Sequence, residues 1–340
     1  MVPTIPKSAL ILGPLLRTTS AKVIPTIPKS ARKRYNQHTW YEEDIEQNLR
    51  WCYALNGILH SRESQYQDIA LLDTEPFGKA LVIDGKLQST ELDKFIYHEC
   101  LVHPALLHHT KPETVFIMGG GEGSTAREIL RHQTVERIVM CVIDEEVVDF
   151  CRSHLVVNRE AFFNSRLKLV INDARAELLK REEKFDVIIG DLADPIEDGR
   201  CYQLYTKSFY ELILKPRLKE GGIFVTQAGP AGVFSHTEVF SCIYNTLRHA
   251  FKYVVPYSAH IPSYANTWGW IMASDSPFTL DSDELDSRIK QRINGENRYL
   301  DGKTFASASL LSKAVRKSLD KETQGTAKFI YGHGSCHKIH

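Results

Sequence analysis

Four places along the chain set an acidic side chain just beyond a short apolar run. They are Gly119-Gly120-Gly121-Glu122-Gly123-Ser124, Ile143-Asp144, Asn172-Asp173-Ala174 and Asp191-Leu192-Ala193-Asp194-Pro195. A lone Asp after a strand is ordinarily a helix N-cap, but four acids at successive strand ends exceed what capping needs. The loops carry no cation to offset them, so the cluster is expected to attract a positively charged ligand. The glycines let the backbone turn tightly and approach a ligand closely. Their GxGxG spacing departs from the GxGxxG of dinucleotide sites and suits an adenosyl-sulfonium, which brings no pyrophosphate. Glu122 would oppose a phosphate and attract a cation, and Asp173 sits where a carboxylate could meet an adenine amino group.

The elements that must position these residues follow from the apolar periodicity. Runs at 114–118, 137–143, 167–171, 185–190 and 223–227 alternate with helical patterns near 124–132, 145–155, 174–183, 206–215 and 235–250. Continuous apolar strands alternating with helices predict a doubly wound α/β sheet, covered on both faces, and ligands of such sheets bind beyond the carboxyl ends of the strands. Two later runs, 252–261 and 268–274, read as an antiparallel edge pair, followed by helices near 282–293 and 306–319. Before the sheet, 40–60 reads as a short amphipathic segment. Strands near 67–73, 79–84 and 86–91 form a small antiparallel module, with Asp84-Gly85 as a hairpin turn.

Charge is divided unevenly. The 340 residues carry 42 basic and 42 acidic side chains, yet the seven bases before residue 42 face no acid, leaving 35 bases against 42 acids beyond, a net of −7. The basic leader repeats itself, VPTIPKSA at 2–9 returning as IPTIPKSA at 24–31. Its five prolines argue against regular structure. A neutral whole argues against a nucleic-acid binder, and the absence of an 18-residue apolar run argues against a membrane-spanning helix. Seven scattered cysteines without a CxxC pair suggest reduced thiols and a cytoplasmic setting, with organellar transit directed by the leader as the lesser alternative. His333, Cys336, His337 and His340 read as a plain tail rather than a metal site, since no second ligand pair accompanies them.

Several motifs taken together, YQDI, FGKALVIDGKLQ, GGGEGS, VIIGDLADP, CYQLYTKSFY and VTQAGPAG, resemble the polyamine aminopropyltransferases, the spermidine/spermine synthase family. The forms GGGEGSTARE, DLADP and IPSYANTWGWIMASD resemble the plant thermospermine synthases within it. The likeness runs from about Trp40 to the end and leaves the leader uncovered. It implies a Rossmann-like, methyltransferase-type fold, with a leader (1–39), an N-terminal segment and β domain (40–110), a catalytic domain (111–335) and a tail (336–340). It implies aminopropyl transfer from decarboxylated S-adenosylmethionine to spermidine, giving thermospermine and 5′-methylthioadenosine, with no cofactor and no metal, in a homo-oligomer. Gln67, His98, Glu122, Asp173 and Ala174 would hold the donor, and Asp191 would be the base. Tyr97, Asp194, Gln227 and Tyr264 would line the amine channel.

That reaction makes physical sense of the acids. An amine with a pKa near ~10.4 is protonated at pH 7, and freeing its lone pair costs ~4–5 kcal/mol; a carboxylate in reach can take the proton. One position departs from the family. Where an acid would grip the donor's ribose, the chain has Val142, with Asp144 two residues on and ~6.6 Å further along the strand. Other readings are spermine or spermidine synthesis, methyl transfer on the same fold, and a polyamine-binding homologue with weakened donor affinity because of Val142.

Overall fold

The computed structural model describes residues 39–46, 49–195 and 201–322. The basic leader to residue 38 and the His/Cys cluster at 333–340 lie outside them. The described chain opens on five antiparallel strands in sequential order, β1 (Thr39–Glu46), β2 (Leu49–Glu63), β3 (Asp68–Thr74), β4 (Gly78–Ile83) and β5 (Lys86–Thr90). The amphipathic segment expected at 40–60 is thus a long hairpin, and the expected three-stranded module has five strands. Tyr53 and Leu55 turn inward while their neighbours Ala54 and Asn56 are more exposed, the period of two that a one-sided sheet requires. Asp84 and Gly85 both take positive φ, 49° and 73°, as a two-residue hairpin turn requires.

A helix unforeseen in the sequence, α1 (Lys94–His108), links this sheet to the next. Thirteen of its fifteen residues are buried, so its sequence shows no one-sided apolar stripe and carries a weak helical signature.

The second sheet has seven strands, β6 (Thr114–Gly119), β7 (Arg137–Val142), β8 (Leu167–Ile171), β9 (Phe185–Asp191), β10 (Leu218–Pro230), β11 (Tyr253–Ile261) and β12 (Asn266–Ser274), in the order β11-β12-β10-β9-β6-β7-β8. All pairs are parallel except those made by β12, which runs antiparallel to β10 and β11. The continuous apolar runs have a simple cause. Phe116 and Met118 pack into one core, with Ile188 and Phe224, while Val115 and Ile117 pack into the other, with Val187 and α1 residues Leu101 and Ala105. The helices α2 (Ser124–Leu130), α3 (Glu145–His154), α5 (Ala174–Lys180), α6 (Lys207–Phe209) and α7 (Phe240–Ala250) fall within the five expected stretches, α6 covering only three residues of 206–215, while α4 (Val156–Phe162) is an additional helix before β8.

Past the sheet come α8 (Ser282–Arg292), α9 (Gly302–Ser309) and α10 (Lys313–Lys321). One helix expected at 306–319 is therefore two, because Ser312 caps α10 by accepting the Val315 N–H. Cys52, Cys100, Cys141 and Cys151 are free thiols.

Candidate active site

Strand register brings the chemistry-bearing residues together. Gly119 at the end of β6 lies opposite Asp191 at the end of β9, and Gly190 lies opposite Thr226 of β10, one residue before Gln227. The chain leaves β6 and β9 in opposite directions across the sheet, which opens a crevice between them. Gly119 is required here. Its φ is +81°, and a Cβ would stand 2.1 Å from the Asp191 carbonyl oxygen. The adjacent Gly120 N–H donates to that same oxygen at 3.0 Å, so the glycine loop fixes the backbone of the expected base.

The Asp191 carboxylate is held at both oxygens. Tyr97, in the first turn of α1, donates its hydroxyl to Oδ1 at 2.9 Å, and Thr125, in the first turn of α2, donates to Oδ2 at 2.6 Å. Burial, then the nearby Asp191 charge, raises the Tyr97 phenol well above its ordinary pKa, so it remains a donor. Tyr97 packs edge-on to Trp270 and Tyr264, at ring separations of 5.7 and 6.3 Å. Tyr264 donates to the Gln88 carbonyl of β5 at 2.5 Å, which ties the turn after β11 to the small sheet. These rings form an apolar wall beside the carboxylate, suited to methylene groups.

Asp194 stands half-buried three residues past Asp191. Gln227 Nε2 donates to Asp194 Oδ1 at 3.0 Å and to the Leu192 carbonyl at 2.7 Å. Burial raises the Asp194 carboxyl above its ordinary pKa, partly offset by the Gln227 hydrogen bond. Gln227 also reaches the Tyr205 hydroxyl at 3.2 Å, adding a residue that the sequence reading missed.

On the other side of the crevice, Glu122 has the richest set of partners. Its Oε1 accepts from Lys94 Nζ at 3.0 Å, Ser124 Oγ at 2.6 Å and Asn158 Nδ2 at 3.2 Å, while His98 Nε2 lies 4.0 Å from Oε2. Burial works to raise this carboxyl, but Lys94, His98 and Ser124 prevail and hold it well below the usual carboxylate range. The expectation of acids without a cation is therefore corrected at Glu122. The cation comes from α1, outside the loop, so inspection of the loops alone could not reveal it. His98 is fixed by a 2.7 Å contact between its Nδ1 and the Lys94 carbonyl.

At the second strand end, Val142 is 5% exposed and packs against Gly121. Asp144 does not take over the missing acid's place. It is the N-cap of α3, accepting from the Glu146 N–H at 3.0 Å, and its Oδ2 accepts from Ser64 Oγ at 2.6 Å and Gln67 Nε2 at 2.9 Å. Gln67, expected as a donor contact, thus has its amide bound to Asp144. Asp173 caps α5 by accepting from the Ala176 N–H at 2.7 Å, with the buried Ala174 beside it. Among the described residues no group of three His, Cys, Asp or Glu side chains is assembled to hold a metal ion.

Residues 94–283 match the family described as the spermine/spermidine synthase domain, and residues 39–91 match the spermidine synthase tetramerisation domain. The chain belongs to the spermine/spermidine synthase family. This polyamine aminopropyltransferase is 58% identical to the thermospermine synthase ACAULIS5 of Arabidopsis thaliana, over 96% of its own length and 99% of that relative. The aligned span reaches into the first 39 residues, which corrects the expectation that the leader falls outside the likeness. The polyamine aminopropyltransferase of Sulfurisphaera tokodaii is 41% identical, over 80% of this chain and 90% of that one. Among solved structures, a spermidine synthase in complex with the transition state analogue AdoDATO superposes with a TM-score of 0.77 at 28% identity, covering 84% of this aminopropyltransferase and 96% of that chain. The spermidine synthase of Thermotoga maritima gives a TM-score of 0.75 at 28% identity, covering 84% and 95%.

Proposed function

We propose that this aminopropyltransferase moves the aminopropyl group of decarboxylated S-adenosylmethionine to spermidine, yielding thermospermine and 5′-methylthioadenosine. The observation that carries the reading is the Asp191 carboxylate, oriented by Tyr97 and Thr125 and followed three residues later by Asp194. Each Asp191 oxygen keeps a lone pair beyond its one bond, so the carboxylate can accept the proton of an attacking amine while aiming its lone pair. Asp194 and Gln227 anchor a distal ammonium, and Tyr97 and Tyr264 pack on the methylenes. On the donor side, Glu122 meets the ammonium, His98 adds a polar contact and Asp173 with Ala174 receives the adenine. The donor is a co-substrate and no metal takes part.

The chain acts in the cytoplasm, supported by the free thiols of Cys52, Cys100, Cys141 and Cys151, and self-associates through residues 39–91, as the match to a tetramerisation domain supports. Incubation with spermidine and the donor, followed by chromatographic separation of the two isomeric tetraamines, tests the assignment. Thermospermine is the expected product, and spermine alone would overturn it.

A further inference from the structure

Lys94 brings a second charge into the part of the crevice assigned to the donor's ammonium. Its side chain is 8% exposed, and its Nζ meets Glu122 Oε1 at 3.0 Å. An ammonium has three N–H donors, and this one makes a single side-chain hydrogen bond, to Glu122, so two donors remain inside a buried site. The carboxylate is loaded asymmetrically. Oε1 takes Lys94, Ser124 and Asn158, whereas the nearest partner of Oε2 is His98 Nε2, 4.0 Å away.

A lone buried carboxylate matches a lone ammonium. A carboxylate already paired with a lysine does not, because the incoming ammonium meets a neutral pair and lies close to a like charge. A head group carrying both charges restores the balance, with its ammonium on Glu122 Oε2 and its carboxylate on the spare N–H groups of Lys94.

We propose that Lys94 turns the donor's head-group site into one that matches an amino-acid zwitterion, so that it discriminates less against the parent sulfonium that still carries its α-carboxylate. The inference concerns binding, and it rests on the donor's ammonium lying at Glu122.

Titration calorimetry on the full-length protein, with decarboxylated S-adenosylmethionine and with S-adenosylmethionine, tests it. Lys94→Gln is expected to shift the ratio of the two affinities at least ~10-fold toward the decarboxylated donor, tightening that donor and weakening the carboxylated one. Lys94→Arg, which keeps the cation, should hold the native ratio. An unchanged ratio in a folded Lys94→Gln protein, checked by its melting transition, overturns the proposal, and Lys94→Met supplies the same neutral test if the Gln variant fails to fold. Glu122→Gln separates the two possible failures. It should weaken the decarboxylated donor in both the native and the Lys94→Gln backgrounds. If it weakens neither, the placement of the donor at Glu122 has failed, and the inference about Lys94 falls with it.

Discussion

Tyr97 and Asp191 stand 94 residues apart in the chain and meet in a 2.9 Å hydrogen bond, the phenol donating to the carboxylate's Oδ1. With Thr125 on the other oxygen, the carboxylate has one orientation before any amine arrives. Asp191→Asn keeps the shape and removes the proton acceptor, so turnover should fall by ~10²–10⁴-fold while donor affinity changes little. Tyr97→Phe leaves the acceptor in place but less well aimed, and should cost about tenfold, the worth of one hydrogen bond to a charged group. Initial rates of 5′-methylthioadenosine release at saturating substrates measure both. Native turnover in Asp191→Asn would move the base elsewhere.

Asp194, proposed to anchor an ammonium, works against the fold when no amine is bound. Burial raises its carboxyl above the ordinary value, so the native state holds the proton more tightly than the unfolded chain. The stability this group adds is present at pH below its unfolded pKa and disappears as pH rises through the folded one. At neutral pH the ionised group is therefore a burden until an ammonium pairs with it. Asp194→Asn should raise the melting temperature at pH 7, with the gain shrinking toward acid pH, and should raise the KM for spermidine. A variant that is both less stable at pH 7 and unaltered in KM would contradict this account.

The repeating apolar strands and the carboxylates at their ends were readable because each is a local pattern. β6, β7, β8 and β9 start within a residue of their expected positions, and Asp191 and Asp194 flank the crevice that parallel topology requires. What stayed hidden depends on contacts between distant segments. Lys94 joins Glu122 only because α1, outside the glycine loop, packs close enough to reach it, and that helix lacks a stripe since it is buried all round. Asp144 looked available to replace a missing acid by its spacing along the chain, but Ser64 and Gln67, some eighty residues earlier, hold its carboxylate. The pairing of Tyr205 with Gln227 likewise had no local signal.

Gly119 offers a test of the loop geometry apart from chemistry. An alanine there meets two penalties, a φ of +81° and a Cβ 2.1 Å from the Asp191 carbonyl oxygen. The backbone term alone is worth ~1–2 kcal/mol, and relief of the overlap must shift Asp191. Gly119→Ala should cost at least ~3 kcal/mol of stability and most of the activity. Gly57 in β2, where a Cβ would have nothing within 4 Å, is the control, and Gly57→Ala should be neutral or mildly stabilising. Thermal melts of the two variants compare them directly, and equal transitions would remove the steric argument.

Val142 offers a test of how the donor's sugar is held. The residue ends β7 with 5% of its surface exposed, beside the glycine loop at Gly121. Asp144 cannot compensate, since its carboxylate already accepts from Ser64, Gln67 and the Glu146 N–H. A carboxylate at 142 would accept hydrogen bonds from two ribose hydroxyls, and hydrogen bonds to a charged group are worth ~1.5–3 kcal/mol. Val142→Asp should therefore lower the donor's KM by about tenfold or more with spermidine's KM unchanged. The substitution also places a charge where a methyl now packs, so the free protein should melt lower by the cost of that burial. Added 5′-methylthioadenosine, which carries the same ribose, should recover more melting temperature in the variant than in the native protein. A folded variant with an unchanged donor KM would show that the ribose is not gripped at this strand end.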